Sequence, residues 1–155
     1  MIQEALRIAK EALIKPFEGY HRKLPDGSCK AYPDPGTGAE PWTIGWGSTG
    51  KDINPDTVWT QDYAEERLNQ EVNHFVKLAL QMSPVLANAE PSKLAAITSF
   101  VYNCGPGNYR ISTLRRRVNE QNWEEARKEI LKWNKAAGRV LKGLTIRRTA
   151  ESRLL

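Results

Sequence analysis

The chain has 155 residues, of which 40% are hydrophobic and 26% charged, and a net charge of +5. This suits one soluble globular domain and is too apolar for a disordered chain. Two cysteines exclude a disulfide-rich scaffold and a cysteine-only zinc site, and only two histidines, His21 and His74, argue against a histidine-based metal site, so no cofactor is implied and metal-free hydrolysis, binding or scaffolding remain.

In chain order, the first element is a helix over 2–15. Ile2, Ala5, Leu6, Ala9, Ala12 and Leu13 fall on one apolar stripe. Pro16 should disturb it near Lys15, and Gly19 suits its end. Glu4, Arg7, Lys10 and Glu11 break Met1–Ile14, which leaves no apolar signal-peptide core. Turn sequences follow at Pro25-Asp26-Gly27-Ser28 and Asp34-Pro35-Gly36-Thr37-Gly38. Around them lie strand-like runs, Ser28–Tyr32 and Trp42–Trp46, which predict a small antiparallel sheet of two or three strands. From Gln61 the helical period returns through Ala64, Leu68, Val72 and Ala79, until Ser83-Pro84 stops it. At 1.5 Å per residue this helix would be about 30 Å long.

Leu94 to Cys104 is apolar on nearly every side, as a central buried helix would be, and Gly105-Pro106-Gly107 ends it. The run Leu94–Tyr109 is too short and too polar to cross a bilayer. Ser112 can cap a short helix through Val118, and Asn122 with Glu125 forms a capping box for a helix toward Trp133. Gly138 and Gly143 punctuate a loop before a last helix from about Leu144 to Leu154. The class is α+β, mostly helical. Residues 113–155 carry twelve Lys/Arg against five Asp/Glu, whereas residues 1–112 sum to −2. A basic last third attracts polyanions, and it also fits plain solvated helix faces.

Carboxylates are the natural catalytic candidates. Glu18 ends the first helix beside Phe17, where the helix dipole and an apolar neighbour both favour the protonated form that a general acid needs. Asp34 lies in a polar turn, where it stays ionised more easily. Two carboxyls pushed apart in this way suit glycoside hydrolysis.

Five blocks, in order, carry a resemblance. They are Phe17-Glu18-Gly19; Ala31-Tyr32-Pro33-Asp34-Pro35-Gly36-Thr37-Gly38; Pro41-Trp42-Thr43-Ile44-Gly45-Trp46-Gly47; Ser99 through Gly105 with Ser112-Thr113-Leu114; and Gly143 through Glu151. Together they resemble the phage-type lysozymes of glycoside hydrolase family 24, from about Ala5 to Leu154. The resemblance implies a single lysozyme-like catalytic domain over 1–155. It would have a sheet lobe at about 17–60, a helical lobe at about 61–155 joined by the N-terminal helix 2–15, and a cleft between them. It implies an endolysin cleaving peptidoglycan between N-acetylmuramic acid and N-acetylglucosamine. Glu18 would be the general acid, and Asp34 with Thr43 would place the water. That inverting course needs carboxyls roughly 6.5–9.5 Å apart, and a retaining one about 5 Å. Asn103 is implied as an amide facing the substrate, and Arg147, rather than Arg148, as the arginine approaching the catalytic Glu. Tyr32 fits sheet packing and a cleft wall equally.

This chain departs from the pattern twice. Residues 19–33 separate Glu18 from Asp34, a longer stretch than in the compact members, and Ser48 stands where many members carry His. Trp42 and Trp46 read as core packing, and Arg115-Arg116-Arg117 as a solvated face. Cys29 and Cys104 are expected to stay unpaired, because a chain without an export signal is made in a reducing compartment. The implied enzyme is a monomer whose partner is peptidoglycan, with no nucleic acid and no stable membrane insertion. It would accumulate in the host cytoplasm and reach the periplasmic wall with the help of a holin. The rivals are a lytic transglycosylase, and a non-catalytic basic module that binds wall polymer or nucleic acid.

Overall fold

A computed structural model describes residues 1–35 and 37–155; Gly36, within the expected glycine-rich turn, lies outside the described residues. The chain divides into two compact units, one of residues 14–71 and one of residues 1–13 with 72–155.

The N-terminal helical stretch is longer than Pro16 suggested. Helix α1 spans Ile2–Ile8, a π-helical turn follows at Ala9–Ile14, and helix α2 is Lys15–Glu18. A proline inside a regular helix clashes with the carbonyl four residues earlier. The widened π turn removes that constraint, so Pro16 sits in the first turn of α2 and the chain stays helical up to Glu18. Gly19 ends it with φ of +73°, and its amide donates to Lys15 O at 2.9 Å.

In the unit of residues 14–71, the ladders are two residues long. Strand β1 (Cys29–Lys30) pairs antiparallel with β4 (Val58–Trp59), and β2 (Thr43–Ile44) with β3 (Ser48–Thr49). A single bridge, Tyr32 to Thr43, joins the two ladders where one continuous sheet was expected. Trp59, Ile44 and Cys29 are buried in this unit, which also holds the start of helix α3 (Gln61–Met82). Trp46 is buried as expected, against the Tyr20 ring at 4.6 Å, with Lys15 Nζ over its face.

In the other unit, helix α4 (Pro91–Cys104) is the centre, and every residue from Leu94 to Val101 is buried. It packs on α1, on the short α5 (Pro106–Ile111) and on α8 (Lys142–Ser152). The Gly105-Pro106-Gly107 stop is therefore also a start, since Pro106 opens α5 at the position where its missing N–H costs nothing. Both expected caps are present. Ser112 Oγ accepts from Arg115 N at the head of α6 (Thr113–Asn119), and Asn122 Oδ1 accepts from Glu125 N at the head of α7 (Trp123–Leu131). Arg115 is more than a solvated charge: its Nε donates to Met82 O at 2.8 Å and ties α6 to the end of α3. The expected loop near Gly138 is a hairpin of β5 (Lys135–Ala136) and β6 (Arg139–Val140). Ala137 and Gly138 turn it with φ of +51° and +77°, the pattern of a two-residue hairpin turn. Cys29 and Cys104 are free thiols.

Candidate active site

A cavity of about 720 Å³ in the unit of residues 14–71 is lined by Glu18, Tyr32, Asp34 and Thr43, with His21, Arg22, Gly47 and Thr49. Three separate elements deliver the first four of these. Glu18 is the last residue of α2 and is half-buried. Gly47 faces it: a β-carbon there would lie 3.1 Å from Glu18 Oε2. The main-chain carbonyl of Glu18 accepts from His21 Nε2 at 2.9 Å, which fixes the chain as it leaves the helix.

Asp34 is held by its own turn. Its Oδ2 accepts from Thr37 N at 3.1 Å, and its carbonyl accepts from Gly38 N at 2.7 Å. Thr37 Oγ1 in turn donates to Glu40 O, so side chains of the loop satisfy the loop's backbone. Thr43 is 8% exposed, and its Oγ1 donates to Pro41 O at 3.3 Å. Tyr32 and Thr43 exchange both backbone hydrogen bonds at 2.9 Å. This pair locks Asp34, two residues past Tyr32, in register with Thr43. Tyr32 pairs with Thr43 and also lines the cavity. Burial pushes its phenol up, and the charges of Glu18 and Asp34 add to the effect, so the hydroxyl stays a neutral donor beside both acids.

The phage lysozyme family model matches residues 16–151, which include the whole cavity. The chain belongs to the phage lysozyme family. It is 37% identical over 142 residues to the endolysin of Bacillus phage B103, covering 92% of this chain and 50% of that protein. It is 36% identical over 110 residues to the SAR-endolysin of bacteriophage PS119, covering 70% of this chain and 64% of that protein. The chain thus spans about half to two thirds of the length of these curated relatives. Among solved structures, the endolysin of Escherichia coli O157:H7 phage FAHEc1 superposes with a TM-score of 0.76 at 26% identity, covering 98% of this chain and 90% of that one.

In this phage lysozyme family member, Ser48 has its own partner: its hydroxyl donates to Glu71 Oε2 at 3.1 Å within the same unit. Asn103, in the last turn of α4, is exposed, and its Oδ1 accepts from Arg148 Nη2 at 2.8 Å. Arg147, expected to approach the catalytic Glu, is 3% exposed, and its Nη2 donates to Ser99 Oγ at 3.3 Å. Arg148 is fully buried and holds Glu151 through Nη2 at 2.9 Å. Ser99 Oγ donates to the same carboxylate at 2.7 Å. Burial pushes the Glu151 carboxyl up, against the pull of both arginines. Trp42 is half-buried and lines a second cavity of about 690 Å³, which shares Thr49 with the first, so core packing is not its whole surroundings. Among the described residues, no cluster of His, Cys, Asp or Glu is arranged to hold a metal ion.

Sequence reasoning missed His21, Arg22 and Thr49. The first two lie in the stretch where this chain departs from the compact members, and no spacing rule reaches them.

Proposed function

We propose that this chain is the catalytic domain of a peptidoglycan-degrading endolysin, a muramidase that hydrolyses the β-1,4 bond between N-acetylmuramic acid and N-acetylglucosamine. The observation that carries the reading is that one cavity is lined by both carboxylates and the threonine hydroxyl the chemistry needs. Glu18 protonates the glycosidic oxygen. Asp34 takes the proton from a water that Thr43 orients on the opposite face of the sugar. The endolysin and muramidase names of the relatives and of a structural neighbour, the muramidase domain of SpmX from Asticaccaulis excentricus, support the substrate class. Asn103 is proposed as an amide for the substrate's acetamido or peptide groups. Arg147 is proposed to serve the substrate through the residues it holds.

The test is turbidity loss of outer-membrane-permeabilised Gram-negative cells, wild type beside Glu18→Gln, with mass spectrometry of the soluble fragments. The reading expects lysis that disappears in the variant and products with reducing-end muramic acid of inverted anomer. Anhydro-muramic ends would replace it with a transglycosylase. A folded wild type that binds walls without lysis would leave a binding module. The route to the wall is proposed as holin-dependent and the enzyme as a monomer. Among the described residues no helix is long and apolar enough to cross a membrane. Cells that lyse on expression without a holin would overturn that route.

A further inference from the structure

Much of the positive charge in the last third of the chain is already engaged. Arg147 and Arg148 are buried on Glu151, Lys128 pairs with Glu125, Lys132 with Glu129, and Arg117 with Glu120. Three cations on the β5–β6 hairpin and the start of α8 differ. Lys135, Arg139 and Lys142 are exposed, and the sequence has no acid between Glu129 and Glu151. Among the described residues no carboxylate stands within ion-pair distance of these three.

Every residue from Lys135 to Gly143 is exposed, so both faces of the ribbon are bare. Aliphatic side chains sit among the cations: Val140 is 59% exposed, Leu141 44% and Ile146 50%. Lys135 pairs with Val140 across the ribbon and Ala136 with Arg139. Paired residues share a face and successive residues alternate, so one face carries Lys135 with Val140 and the other Arg139 with Leu141. Lys142 and Ile146, four apart on α8, share a helix face. An aliphatic side chain thus accompanies each cation. The ribbon is also held at its base. Leu141 N donates to Asn134 O at 2.9 Å, and Asn134 Nδ2 donates to Thr145 Oγ1 at 3.1 Å on α8. Single exposed aliphatics are common on protein surfaces, but three within seven positions on a fixed, acid-free projection mark an interaction site.

We propose that this ribbon docks on a phospholipid surface rich in anionic headgroups, with Val140, Leu141 and Ile146 entering the boundary between headgroups and acyl chains and the three cations meeting the phosphates. The contact is peripheral and shallow. Cation stems lie along the apolar layer while their charged ends stay at the headgroups, which is the arrangement that alternating cations and aliphatics allow. A polysaccharide would be met by flat aromatic faces, and the ribbon has none; Trp133, just before it, packs edge-on against Phe100 at 5.5 Å. A purely electrostatic polyanion site would have no use for the aliphatics. A second copy of the ribbon would bring three cations against three. The proposal does not rest on the muramidase reading, since none of these residues lines the cavity of Glu18 and Asp34.

The experiment is co-sedimentation of the full chain with vesicles of phosphatidylcholine alone and with about one third phosphatidylglycerol, at about 0.1 M salt, with circular dichroism to confirm each fold. Wild type should bind the anionic vesicles and scarcely the neutral ones, and should weaken as salt rises. Each cation near such a surface is worth about fivefold, so Lys135→Gln/Arg139→Gln/Lys142→Gln should bind about 10²-fold more weakly. Val140→Ser/Leu141→Ser keeps every charge and should still lose at least about tenfold. Ile111→Ser, at an aliphatic 80% exposed outside the ribbon, should bind as wild type does. Wild type that ignores anionic vesicles overturns the proposal. So does a serine pair that binds undiminished, because the site is then a plain charge patch, and so does an Ile111→Ser loss equal to that of the serine pair. Purified wall sacculi are the second probe: ribbon variants that lose sacculus binding and keep vesicle binding would assign the ribbon to the wall and overturn the proposal.

Discussion

Gly47 and the carboxyl of Glu18 occupy adjoining space: a β-carbon on Gly47 would stand 3.1 Å from Glu18 Oε2 and 3.6 Å from its Cδ, at a backbone φ of +90°. Two separate costs therefore meet any side chain at this position. The left-handed backbone makes Gly47→Ala destabilising by about 1–2 kcal/mol. The methyl also has to displace the acid, and an acid moved by a fraction of an ångström is a poorer one. Gly47→Ala should remain folded at 25 °C and lose at least about tenfold in lysis rate, more than its stability loss explains. A melting curve beside a turbidity assay checks this. A destabilised variant with the wild-type rate would show that the contact does not position Glu18.

Thr43 tests the other side of the reaction. Its hydroxyl donates to Pro41 O at a long 3.3 Å. Thr43→Val keeps the shape and the β-branched fit of the strand, removing only the hydroxyl. If that hydroxyl orients the attacking water, kcat should fall by about 10²-fold in Thr43→Val and much less in Thr43→Ser. Equal rates for the two variants would assign Thr43 to packing.

How much of this was readable beforehand differs by element. Glu18 at a helix end followed by Gly19, the Asp34 turn, and the Ser112 and Asn122 caps are local patterns, and the structure contains each of them. Central helix α4 was legible because an all-round apolar run has nowhere to go but the core. The π turn before Pro16 was not legible, since no local sequence pattern marks a π turn over Ala9–Ile14. Strands β3 and β4 are two residues each, too short for any alternation to register. The hairpin turn uses Ala137, whose φ of +51° no propensity would suggest. His21 and Arg22 reach the cavity only because a bridge from Lys23 to Cys29 folds the intervening hairpin back. The partners of Arg147 and Arg148 were hidden for a related reason. Ser99 and Glu151 are 52 residues apart and meet only when α8 packs on α4.

That buried cluster carries a stability prediction. Glu151 and Arg148 are both at 0% exposure, and Arg147 is at 3%. Glu151→Ala would leave two guanidiniums in the core without their shared carboxylate. A loss of about 3–5 kcal/mol is expected, a large part of the whole stability of a domain. Thr149→Ala, two residues earlier on the same helix, should cost far less. Its hydroxyl donates to Thr145 O, within the helix. Urea unfolding of both variants checks the contrast, and similar midpoints would mean that the cluster contributes little beyond its packing.

Tyr109 and Ser83 supply a prediction in pH. Their hydroxyls share a hydrogen bond of 2.7 Å, and Tyr109 is fully buried against Phe100. Burial pushes the phenol up to about 12, while Ser83 and the charge of Arg115 pull weakly the other way. In the unfolded chain a tyrosine loses its proton near pH 10. Between about pH 10 and 12 the folded state thus binds more protons than the unfolded one, so stability must fall as pH rises. The contribution is complete below pH 10 and is lost as pH climbs through 12, by about 3 kcal/mol at most. Tyr109→Phe removes the titration and leaves Ser83 without its partner, at a cost of about 1–3 kcal/mol at neutral pH. Wild type should therefore start ahead of Tyr109→Phe at pH 8 and see that lead shrink by about 1.4 kcal/mol by pH 11, when both are followed by urea unfolding. Two parallel pH profiles would mean that the folded phenol ionises as readily as an exposed one, and that the buried hydroxyl has a path to water.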